Sequence, residues 1–142
     1  MDVSTVVIDT CVFIAALRSR RGASFRVLSL VGTGKFDIAI SVPLVLEYEG
    51  TARRILEETS LDEEDVEAIL GYLCLVGRRQ EVFYLWRPVL RDPKDDMILE
   101  LAVAAGGATI VTFNVRDFRG AERFGIRVMT PQVFLREIGE LP

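Results

Sequence analysis

The chain has 142 residues, half of them hydrophobic, which suits one compact domain and argues against disorder. Its net charge of −4 and pI near 4.9 exclude a basic protein that coats nucleic acid, though not a nuclease whose acids gather in one place. It contains no histidine, so Ser-His-Asp and Cys-His catalysis and histidine zinc sites are ruled out.

Strand-like and helix-like patterns alternate along the chain. Val3 to Ile8 is a β-branched apolar run, and Val12 to Leu17 reads as a short helix. Ser19 to Gly22 breaks the pattern. Ala23 to Val31 is helical and stops at Gly32. Phe36 to Ile40 is a second strand, and Pro43 opens a helix to about Glu57. A helix with acids in its first turn follows from Asp62 to near Arg78. Val82 to Leu85 is expected as a third strand, with Trp86 to Arg91 as a connection. Asp95 to Ala105 is a helix, Thr109 to Thr112 and Ile126 to Met129 are strands, and Pro131 to Ile138 closes the chain as a helix. Five strands interleaved with helices predict an α/β fold, a three-layer α/β/α arrangement around a parallel sheet. Such sheets bind ligands beyond the carboxyl ends of their strands, at the point where strand order reverses.

Acids from four segments fall at that edge. Asp9 ends the first strand, and Glu47 and Glu49 follow the second. Asp92, Asp95 and Asp96 open the helix before the fourth, and Asp117 follows it. Some have structural explanations. Asp92-Pro93 is a helix cap, and Asp95 a third-position acid. Glu47 and Glu49 both border the apolar stripe of their helix, so periodicity does not choose between them. Asp9 has the weakest structural excuse, because a buried strand rarely ends on a charge without reason. Carboxylates about 4 Å apart repel by roughly 4 kcal/mol per pair at an effective dielectric near 20. A cation relieves that repulsion, and all-oxygen ligands favour Mg²⁺ or Mn²⁺, metals suited to phosphodiester hydrolysis.

Cys11 and Cys74 form no CxxC pair and read as reduced thiols of a cytoplasmic protein. The sequence has no signal-peptide pattern and no apolar run of about 20 residues, so no membrane partner is expected. An aspartyl phosphatase would want a second aspartate at position 11, and a receiver domain adjacent acids after the first strand; Thr10-Cys11 supplies neither. Gly32-Thr33-Gly34-Lys35 lacks phosphate-loop spacing.

Taken together, VVIDTCVFIAAL, SVPLVLEYEG, RDPKDDMILELAVAAGGATIVTFNVRDF and PQVFLREI resemble, in order and over essentially the whole chain, the segments of a PIN domain. Within that family the chain resembles the VapC-like toxin components of toxin–antitoxin systems. The resemblance implies a Mg²⁺- or Mn²⁺-dependent endoribonuclease cutting single-stranded RNA, blocked by an antitoxin protein, and a homodimer. It puts the family's acids on Asp9, Glu47 and Asp96 as metal-holding residues, and its threonine on Thr112. The fourth acidic position carries Asn114, with Asp117 three residues on as a catalytic substitute, and Cys11 stands where asparagine is usual. Thr10, Thr112 and Asn114 are expected to support the metal-holding acids by hydrogen bonds, and Arg18, Arg20, Arg21 and Arg116 to contact RNA. The alternative is a degenerate PIN fold that binds RNA or a protein without cutting, a reading favoured by Asn114 and Cys11.

Overall fold

The computed structural model describes residues 3–82 and 89–142. Its sheet has five parallel strands: β1 (Thr5–Ile8), β2 (Asp37–Ile40), β3 (Arg78–Arg79), β4 (Thr109–Val111) and β5 (Val128–Met129). Their order is β3-β2-β1-β4-β5, with Val6 opposite both Ile38 and Thr109. The helices are α1 (Thr10–Arg18), α2 (Ala23–Leu30), α3 (Val42–Arg54), α4 (Glu63–Val76), α5 (Pro93–Ala104) and α6 (Pro131–Glu137). Helices flanking a parallel sheet make the expected three-layer α/β/α architecture.

Strand order reverses at β1. The connections from β1 to β2 and from β2 to β3 step one way, and the connection from β3 to β4 crosses back past β1. Right-handed crossovers therefore put α5 on the face opposite the helices that precede it. α5 packs against β1, β4 and β2. With both faces covered, β1 needs no polar alternation, and Val6, Val7 and Ile8 are all buried.

Helix starts follow local chemistry. Ser41 caps α3 by accepting from the Leu44 N–H, and Asp62 and Asp65 form a reciprocal capping box on α4. Asp92 caps α5 through the Lys94 N–H, with Pro93 at the first helical position.

The third strand departs from expectation. It forms at Arg78–Arg79, beside Ala39 and Ile40, and Val82 is not in a strand; positions 83–88 of the expected strand and connection lie outside the described residues. Gly77 is the exit from α4. Its N–H closes α4 on the Leu73 carbonyl, and a Cβ there would stand 2.7 Å from that oxygen. The chain thus leaves the helix and joins β2 at once. Two charged residues carry no strand periodicity, so hydrophobic patterning misses them.

Candidate active site at the carboxyl edge of the sheet

Asp9 follows the last residue of β1 and is the N-cap of α1. Its backbone N–H donates to the Val111 carbonyl at 2.9 Å, which binds the end of β1 to β4 at the point of strand reversal. Its side chain is buried and held on both oxygens. The Thr10 N–H donates to Oδ1 at 2.8 Å, and the Thr112 hydroxyl donates to Oδ2 at 2.7 Å. The Cys11 thiol also donates to Oδ2, at 3.4 Å. Burial, then the Asp9 charge, pushes that thiol above its ordinary pKa. Thr112 is fully buried, and its oxygen also accepts the Asn114 N–H at 3.0 Å. The hydroxyl of Thr112 thus joins the loop after β4 to the acid after β1.

The acids of α5 divide in two. Asp96 is buried, and its Oδ1 accepts from the Val89 and Leu90 N–H groups at 3.2 and 3.0 Å, so it fastens the segment entering the helix. Asp95 is half-buried and has its pKa raised to about 6. Burial is the largest cause, followed by the charges of Asp9, Asp92, Asp117 and Asp96. Asp95 therefore stands in the field of Asp9 and Asp117. The family motif does not single it out, and the capping pattern explains it away, so sequence reasoning passed over it.

Glu47 and Glu49 also separate. Leu44, Tyr48 and Ala52 form the buried face of α3. Glu49 pairs with Arg53 at 3.8 Å along the helix surface, whereas Glu47 lines a groove with Thr10, Cys11, Lys94 and Phe113. Lys94 Nζ lies 3.9 Å from Glu47 Oε1. Tyr48 sets this placement. Its hydroxyl donates to the Ile8 carbonyl, and its ring stacks on Phe13 with centroids 4.4 Å apart. Burial, with Asp9 and Glu47 nearby, raises the Tyr48 pKa well above its usual value, so the phenol stays a donor. Tyr48 is a second residue whose part at this edge the sequence did not mark.

The groove measures about 690 Å³ and is also lined by Arg18, Thr51 and Arg54. Of the arginines singled out in the sequence, Arg18 lines it and pairs with Glu58 at 2.9 Å. Arg116 belongs to a smaller pocket with Arg91 and Asp117. Arg20 and Arg21 line a separate pocket with Arg26 and Gln132, between α2 and α6. Lys94 and Arg54 are groove cations the sequence did not mark.

The donor set at this edge is oxygen-rich and its acids repel, which suits a hard cation. Among the described residues, no group of three or more acids and cysteines is arranged to hold a metal in this conformation. The oxygens of Asp9 face Thr10, Cys11 and Thr112, so metal binding would compete with or share those contacts.

A sequence model for the PIN domain matches residues 5–116, well over half of the chain. The chain belongs to the PIN domain family. Among solved structures, this PIN domain is similar to a chain of VapBC2 from Rickettsia felis bound to a DNA fragment from their promoter. The TM-score is 0.56 at 16% identity, over 88% of this chain and 96% of the other. That likeness is one of fold. No curated protein matches the sequence. In this PIN domain, Asp9, Glu47, Asp95 and Thr112 all come to the carboxyl edge of the sheet, supplied by four separate stretches of chain.

Proposed function

We propose that this PIN domain is a metal-dependent endoribonuclease that cuts single-stranded RNA and serves as the toxin of a toxin–antitoxin pair. The observation that supports it most is the coupling of Asp9 and Asp95. One carboxylate is buried at the point of strand reversal, and its charge helps lift the other to about 6. Proteins tolerate such repulsion where a cation is to be bound.

Asp9 and one of the α5 acids would hold Mg²⁺ or Mn²⁺. Asp95 has the electrostatic claim and Asp96 the claim of the family motif. The metal would supply Lewis-acid polarisation of the phosphate and a more acidic water. Thr112 and the Thr10 N–H orient the Asp9 carboxylate. Asn114 fixes the Thr112 hydroxyl through its backbone N–H. Glu47, on the groove wall, orients the attacking water, and Asp117 adds charge toward Asp95. Water attacks phosphorus, the bond to the 3′ oxygen breaks, and that oxygen leaves with a proton. Lys94, Arg54 and Arg18 contact the RNA backbone from the groove, and Arg116 from its rim.

The similarity to VapBC2 supports an antitoxin protein as partner, and a cytoplasmic setting follows from that role. No helix among the described residues is long and apolar enough to cross a membrane. A homodimer of single-domain chains is the assembly we propose.

The test is a labelled single-stranded RNA incubated with the protein in Mg²⁺, Mn²⁺ or chelator, beside Asp9→Asn, Asp95→Asn and Asp96→Asn. Cleavage that needs the metal and is lost in Asp9→Asn supports the reading; which α5 variant also loses it assigns the partner acid. RNA bound but uncut in Mn²⁺ would favour the second reading, a binding module. That reading draws on Asn114 at an acidic position and on Cys11 against the Asp9 carboxylate.

A further inference from the structure

Phe113 is one of the large aromatic residues that the fold leaves at the surface. Phe13, Phe36 and Phe118 are each 1% exposed in the core, whereas Phe113 is 50% exposed. It directly follows Thr112, so its Cα is about 3.8 Å from that of the residue whose hydroxyl touches Asp9. Phe113 lines the groove together with Glu47, Lys94, Arg18 and Arg54. A half-exposed aromatic residue and three cations therefore line one groove with Glu47 and with Thr10, the neighbour of Asp9.

We propose that Phe113 is the stacking platform for an unpaired base of the RNA next to the scissile phosphate, with Lys94 and Arg54 receiving the adjacent backbone. Aromatic faces accept any base, and cations beside them track phosphates; that combination defines single-strand binding sites. A base inside a duplex has both faces covered by its neighbours, so the platform selects strands that are free to unstack at the cut. The inference rests on the ribonuclease reading and deepens it, because it names the residue that imposes an unpaired substrate and predicts little sequence preference at that base.

The experiment uses steady-state cleavage of a short labelled single-stranded RNA in Mn²⁺, and binding of the same RNA in an Asp9→Asn background. Phe113→Leu keeps apolar bulk but removes the π face. It is expected to raise KM and the binding Kd by about tenfold, with kcat and the melting temperature held. Phe113→Trp is expected to keep or tighten binding. An RNA with an abasic nucleotide beside the cut phosphate should raise the wild-type KM by the same factor, and Phe113→Leu should then cost nothing further. Cleavage that is indifferent to both the leucine substitution and the abasic RNA overturns the proposal. A wild-type protein that neither binds nor cuts RNA overturns it together with the ribonuclease reading. The abasic arm needs only wild-type protein, so poor folding of a variant does not protect the idea.

Discussion

The Thr112 hydroxyl donates to Asp9 Oδ2 at 2.7 Å, linking the ends of two strands whose residues are 103 positions apart. Thr112 has no exposure to solvent, so the contact is a buried, charge-assisted hydrogen bond. Thr112→Val keeps the volume and removes the donor. It should destabilise the fold by about 1.5–3 kcal/mol and lower cleavage, while Thr112→Ser should retain most of both. Chemical denaturation and RNA cleavage measured on the two variants check this.

Tyr48 ties α3 to the end of β1 through the Ile8 carbonyl. Tyr48→Phe leaves that buried carbonyl without the phenol and should cost about 1–3 kcal/mol. Because Glu47 is the preceding residue on the same helix, activity should fall by more than the loss of folded protein explains. A cleavage assay run well below the melting temperature separates the two effects.

Asp95 gives the metal-free protein a definite pH dependence. Its folded pKa, about 6, lies above the ordinary aspartate value of 3.8. The folded state therefore holds this proton more tightly than the unfolded chain. Stability from this group is fullest below about pH 4, declines as pH rises toward 6, and is lost above it. Solvent screening of a half-buried carboxyl limits the change to about 1 kcal/mol. Asp95→Asn should flatten the decline and stabilise the metal-free protein at pH 7, as urea melts across pH 4–8 would show.

Divalent metal should act in the opposite sense. Mn²⁺ at a hundred times its Kd should add about 2.7 kcal/mol of stability, reversed by chelator and absent in Asp9→Asn. A melting temperature unmoved by Mg²⁺ and Mn²⁺ at millimolar concentration would remove the basis for a metal centre.

The pattern of the sequence carried the layer order of this protein a long way. Apolar runs such as Val6-Val7-Ile8, alternating with amphipathic helices, specify a covered parallel sheet because only burial on both faces permits strands without polar positions. The position of the acid at the end of β1 was legible for the same reason, since a charge closing an apolar strand stands out; its part as the N-cap of α1 was decided by the structure. Other features depend on side-chain direction and on what lies across space, which linear spacing does not hold. Glu47 was separated from Glu49 by Tyr48 anchoring α3 on Ile8, with Arg53 taking Glu49. Asp95 was separated from Asp96 by rotation about α5, which turns one acid to the Val89 and Leu90 amides and the other into the field of Asp9. The arginines were sorted the same way, Arg18 to the groove and Arg20 and Arg21 to another surface. Local sequence sets which elements form and which face is apolar; the meeting of charges from distant elements is decided only when the sheet assembles and the helices lock against it.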